Sequence, residues 1–114
     1  MSHGGIALGA HGERLASAWY VQHGYTVVAR NWRCDIGEID LIARRGSELV
    51  IAEVKTRAGT RFGVPAEAVG AAKQRKLRRL AAAWLAASAE HYDEVRFDVV
   101  SIIGNAVEVI PAAF

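Results

Sequence analysis

The chain is poor in the residues that make cross-links, zinc sites and membrane spans. It has one cysteine, Cys34, so no internal disulfide can form and no second thiol can share a metal, a usage that agrees with a reducing compartment. The four histidines, His3, His11, His23 and His91, are scattered without ligand spacing, which argues further against zinc. The longest wholly apolar run, Leu80 to Ala87, falls far short of the ~20 residues that a membrane helix needs. Met1 to Gly5 are small and polar, with no basic stretch leading into an apolar one, so no signal peptide is expected and the expected location is cytoplasmic, away from any membrane. Internal repeats, low-complexity tracts and linkers are also missing.

The composition that remains is that of a globule. With 114 residues, 52% of them hydrophobic and 23% charged, the chain is expected to form a single domain over residues 1–114, with only about residues 1–7 flexible. A domain of this size buries about two thirds of its unfolded surface without a staple. The net charge of +2 hides a local concentration: Lys73, Arg75, Lys76, Arg78 and Arg79 lie within one short stretch.

Periodicity sets out the elements. Leu15, Ala16 and Trp19 fall at helical spacing and predict a helix from about Leu8 to His23, which Gly24 is placed to end. Tyr25 to Arg30, Gly37 to Ala43 and Leu49 to Thr56 read as strands, and Arg57 to Val64 as a loop. Pro65 suits the first turn of a second helix running to about Ser88, disturbed at Gly70. In it Leu77, Leu80, Ala81, Trp84 and Leu85 form one apolar stripe. Val95 to Ile103 and Ala106 to Ile110 close the chain as strands around Gly104-Asn105. A mixed sheet in this order needs cover on both faces, so the expected fold is α/β, a three-layer α/β/α sandwich.

The strands Gly37 to Ala43 and Leu49 to Thr56 carry the chemistry. If their turn is centred on Gly46-Ser47, Asp40 lies opposite Glu53, Glu38 opposite Lys55 and Ile42 opposite Ile51, and strict alternation sends all six side chains to one face. Like charges directly opposite each other destabilise a strand pair, so a cation is expected between Asp40 and Glu53. A divalent metal there, with Lys55 two residues along, would supply the parts of a phosphodiester-hydrolysing site. Oxygen-only ligation selects Mg²⁺ or Mn²⁺. A surface ladder in which Glu38 pairs with Lys55 accounts for one pair and leaves Asp40 against Glu53 unexplained.

The basic segment adds a surface for phosphates. Extending the apolar stripe back one turn from Leu77 brings Lys73 and Gln74 toward the edge of the carboxylate pair, and leaves Arg75, Arg78 and Arg79 outward. Arg57, Arg61, Lys73, Gln74, Arg75 and Lys76 are the candidate nucleic-acid contacts. They would grip backbone phosphates, which fix a duplex without reading its sequence.

Gly37-Glu38-Ile39-Asp40-Leu41-Ile42-Ala43 followed by Ala52-Glu53-Val54-Lys55-Thr56-Arg57, with Asn31-Trp32-Arg33 before and Phe62-Gly63 after, resembles the YraN family of bacterial proteins. That family stands within the PD-(D/E)xK, or restriction-endonuclease-like, superfamily. The resemblance covers nearly the whole chain, including Gly12-Glu13, Lys73 to Lys76 and Arg96-Phe97-Asp98-Val99-Val100. It implies a restriction-endonuclease-like sandwich and, by analogy with Holliday-junction resolvases, Mg²⁺- or Mn²⁺-dependent cleavage of structured or branched DNA. Carried over by position, the motif's aspartate is Asp40, its second acid Glu53 and its lysine Lys55, and the helix-borne acid of resolvase-like members falls on Glu13. Asp40 and Glu53 would hold the metal, and Lys55 would position the attacking water. The motif's proline position holds Ile39, a departure that removes no catalytic group. A nucleic-acid-binding protein without turnover, a subunit that needs a partner, and a module whose basic helix binds an acidic protein remain as rival classes. A homodimer through a sheet edge or the alanine-rich helix end is compatible with the sequence.

Overall fold

The computed structural model describes the backbone of residues 3–57 and 69–114, with side chains from Gly9 onward. A first helix, α1 (His3–Gln22), leads into strands β1 (Thr26–Arg33), β2 (Glu38–Arg45) and β3 (Glu48–Arg57). Helix α2 (Ala71–Ala87) and strands β4 (Glu94–Ile103) and β5 (Ala106–Ile110) follow. The sheet order is β1-β2-β3-β4-β5. The first three strands form an antiparallel meander, β3 and β4 are parallel across the α2 connection, and β5 returns antiparallel.

The sheet is buried on both sides, as its apolar strands require. Ile42, Leu49, Ile51, Phe97 and Val99 pack under Leu77, Leu80 and Ala81 of α2. Leu41, Ala43, Val50, Ala52, Val100 and Ile102 pack against Ala16 and Tyr20 of α1. The expected three-layer α/β sandwich is therefore the observed one. Among the described residues no helix is long and apolar enough to cross a membrane.

Several boundaries differ from the sequence pattern, each for a local reason. Helix α1 begins at His3, before Leu8. Helix α2 begins at Ala71, not near Pro65, because Gly70 stands at its N-cap in an extended conformation, φ −68° and ψ 169°. Pro65 itself lies outside the described residues. β1 runs on to Arg33 through a register shift between Val27 and Ala29, so its pairing with β2 continues where the alternation lapses.

The β2–β3 register is the expected one, Ile42 against Ile51, but the ladder stops at Leu41 against Ala52. Strict alternation also fails along β2. Ile39 and Ile42, which it would send to opposite faces, share the cluster beneath α2. The expectation that Glu38, Asp40 and Ile42 line one face with Ile51, Glu53 and Lys55 is therefore corrected. Strand β2 parts from β3 near Asp40 while still paired to β1, and that parting opens the end of the sheet.

Candidate functional site

At this open end a side chain takes the amide hydrogen. The Val54 N–H donates to Asp40 Oδ2 at 2.9 Å. Asp40 is half-buried and lies beside Glu53, a residue only 6% exposed. Burial pushes the Asp40 carboxyl up to about 7, with the Glu53 charge next in importance and a smaller push from Glu13; the Val54 amide works the other way.

Among the described residues the two lysines at this end both go to Glu53. Lys73 Nζ lies 3.4 Å and Lys55 Nζ 3.7 Å from the same Glu53 oxygen, Oε2. Lys73 comes from the first turn of α2, so the helix brings a positive charge to Glu53. Glu38 does not pair with Lys55; it takes Arg33 of β1 at 3.2 Å, because the strands have already parted there. Glu13 reaches the same region from α1. Its Oε1 accepts a hydrogen bond from Asn31 Nδ2 at 3.1 Å. The residue before it, Gly12, fits because a Cβ there would overlap Thr56 Oγ1 of β3, so α1 sits directly on the end of the strand that carries Glu53 and Lys55.

The candidate phosphate contacts divide. Arg75 and Lys76 are exposed on α2 and Arg57 is exposed at the end of β3. Lys76 lays its stem across Gly37, where a Cβ would come within 2.6 Å of Lys76 Cε. Lys73 is engaged with Glu53, and Gln74 Nε2 donates to the Val69 carbonyl at 2.9 Å, holding the start of α2. Arg61 lies outside the described residues.

A second polar cluster escaped the sequence reading. Asp98, at 0% exposure, accepts hydrogen bonds from Tyr20 Oη at 2.6 Å, Arg96 Nε at 2.8 Å, Arg96 Nη2 at 2.9 Å and the Ala112 amide at 3.0 Å. Arg96 also donates to Glu48, which accepts from Tyr25. Burial and the Asp98 charge drive the Tyr20 hydroxyl well above its ordinary value. The signal was the pair Arg96 and Asp98 at i and i+2 of an apolar strand, and hence on one face. Asn31 was missed as well. An asparagine inside a strand is unfavourable, and here it has a left-handed φ of 51°.

Among the described residues no three or more of His, Cys, Asp and Glu come together as a metal-holding group. The oxygen donors brought together here are the Asp40 and Glu53 carboxylates.

The model of the uncharacterised protein family UPF0102 matches residues 12–102. A UPF0102 protein of Beutenbergia cavernae is 55% identical over 97 residues, covering 85% of this chain and 82% of its own. One from Rhodococcus opacus is 53% identical over 98 residues, covering 86% and 83%. One from Acidothermus cellulolyticus is 45% identical over 123 residues, covering 95% and 93%. The matched span holds every candidate site residue from Glu13 to Lys76, and the chain belongs to the UPF0102 family, the group to which its YraN-like motifs pointed.

Proposed function

We propose that this protein is a Mg²⁺- or Mn²⁺-dependent endonuclease that hydrolyses phosphodiester bonds in structured or branched DNA. The observation that carries the reading is the Asp40–Glu53 pair. Two acids share a largely water-excluded end of the sheet, the lysines beside them pair with Glu53, and Asp40 holds its proton up to about pH 7. Buried acids in a structural role are normally compensated by donors or cations, and strongly perturbed ones mark sites of chemistry.

The donor set suits a hard divalent cation, because every candidate ligand is an oxygen. Asp40 and Glu53 would hold it, which would supply Lewis-acid polarisation of a phosphodiester oxygen. Asp40 must release its proton to serve as a ligand, so metal affinity is expected to rise with pH through about 7. Lys55, anchored by Glu53, presents a fixed ammonium to charge building on the phosphate oxygens and can orient a water for attack. Lys73 neutralises part of the Glu53 charge from the helix side. Arg57, Arg75 and Lys76, exposed around this end, would grip backbone phosphates and align a duplex by shape.

A DNA-binding protein without turnover is the second reading, favoured by the lack of a third metal-holding side chain among the described residues. One experiment separates the two. Mg²⁺ and Mn²⁺ are titrated by calorimetry into wild type and Asp40→Ala, and linear, flap and branched DNAs are assayed for cleavage in parallel. The endonuclease binds metal and cuts, and loses both in the variant while retaining DNA. Wild type that binds DNA but takes up no metal, even with DNA present, is a binding protein.

A further inference from the structure

On the α2 face of the sheet one hydroxyl stands apart from its apolar surroundings. Ser101 of β4 is at 0% exposure, and among the described residues its Oγ has no hydrogen-bond partner. Val99 lies in the cluster beneath α2, and Val100 and Ile102 in the cluster against α1, so alternation turns Ser101 to the α2 side. There it pairs in register with Lys55 of β3 and with Glu108 of β5. Ile51 and Ile110, also beneath α2, put Lys55 and Glu108 on that same face. The row Lys55, Ser101, Glu108 therefore crosses three strands, two residues beyond Glu53.

A buried hydroxyl without a partner destabilises a fold relative to alanine, so packing gives no reason for a serine here. Lys55 is loosely held as well. An ammonium has three N–H groups to place, yet the ion pair from Lys55 Nζ to Glu53 Oε2 spans 3.7 Å, beyond hydrogen-bond reach. Lys73 lies closer to that oxygen, at 3.4 Å, and competes for it. A hydroxyl both donates and accepts, so the Ser101 hydrogen can point to Glu108 and leave the lone pairs to Lys55. An acceptor without a donor and a donor without a close acceptor are thus neighbours across one ladder.

We propose that Ser101 is a positioning residue for Lys55. Its buried hydroxyl accepts a hydrogen bond from the ammonium when that group turns from Glu53 to a phosphodiester, so the lysine stays fixed beside β4 while its other N–H groups meet the substrate. The phosphodiester is that of the proposed function, on which this inference rests.

The test uses the full chain and begins without metal or DNA. Glu53→Gln keeps the shape of the side chain and removes the charge that holds Lys55, which frees the ammonium to take Ser101. The Lys55 ammonium nitrogen resonance and its hydrogen exchange with water are followed in wild type, Ser101→Ala, Glu53→Gln and the double variant. Within the Glu53→Gln background, Ser101→Ala should move the resonance and speed exchange about tenfold, the loss of one hydrogen bond. The same change in the wild-type background should do less. Ser101→Ala should also melt at or above the wild-type temperature, since it removes an unpaired buried group. Cleavage of branched DNA with Mn²⁺ is then compared: Ser101→Ala should lower kcat about tenfold and leave KM nearly unchanged, as expected for a group that acts in the transition state. A Lys55 resonance indifferent to Ser101 in the Glu53→Gln background, or a melting temperature lowered by Ser101→Ala, would overturn the proposal. If wild type cuts no DNA, the endonuclease reading fails by itself, and the resonance still decides whether Ser101 holds Lys55.

Discussion

Asp98 and Asp40 are both acids on strands of one sheet, and they differ in what meets them. Asp98 is wholly buried and is met by a tyrosine hydroxyl, two guanidinium nitrogens and a backbone amide. Asp40 is less buried, receives the Val54 amide, and faces Glu53. If burial alone marked function, Asp98 would be the site. Among the described residues Lys55 and Lys73 pair with Glu53, and no ion pair reaches Asp40. The saturated acid ties α1, β4 and the C-terminal turn together, whereas Asp40 is met by one amide and a second acid.

The largest effect is expected at the saturated pole. Asp98→Ala strands Arg96, whose side chain is only 20% exposed, and orphans the Tyr20 hydroxyl. Breaking a buried pair by removing one partner costs about 3–5 kcal/mol, so thermal denaturation should show a melting temperature lower by roughly 15 °C, or no folded protein at all. A melting point near wild type would mean that the cluster is not structural and that the contrast with Asp40 is false.

At the open pole the sign reverses. Folded Asp40 keeps its proton up to about pH 7, whereas the unfolded chain releases it near the ordinary 3.8. Between those values the folded state binds more protons, so stability falls as pH rises through this window and levels off above it. Asp40→Asn removes the penalty and keeps an oxygen for the Val54 amide. It should stabilise the metal-free protein by on the order of 2 kcal/mol at pH 8 and by little near pH 4. A variant equally destabilised at both pH values would show that Asp40 is a structural acid after all.

Much of this was legible in the sequence, and the failures share a cause. The apolar run from Leu49 and the stripe Leu77, Leu80, Ala81 located β3 and α2, because apolar burial dominates both. The Gly46-Ser47 turn fixed the register and so brought Asp40 toward Glu53. Local pattern could not show that β2 leaves β3 near Asp40, since alternation alone continues the ladder past Leu41 and Ala52. The nearness of Lys73 to Glu53 was legible in the apolar stripe extended back from Leu77, whereas Gln74, placed beside it, turns to the Val69 carbonyl. The Asp98 cluster was hidden because Tyr20, Arg96 and Asp98 meet only through tertiary packing, and each alone reads as an ordinary residue of its element.

Helix α1 touches both poles, with Glu13 at the open end and Tyr20 at the saturated one, so the smallest change asks whether they are independent. Tyr20→Phe deletes the hydroxyl that donates to Asp98 Oδ2, an oxygen that still receives Arg96 Nη2. The ring remains to fill the core between Ala16 and Tyr25, so the loss is confined to one hydrogen bond to a charged group, about 1.5–3 kcal/mol before the remaining donors readjust and nearer the lower figure after. Denaturation should register that loss, and Mn²⁺ affinity should not change, because sites without shared partners contribute independently. If Mn²⁺ binding weakens together with stability, α1 transmits strain from the Asp98 cluster to Glu13. The saturated acid would then set the position of the helix on which the open site depends.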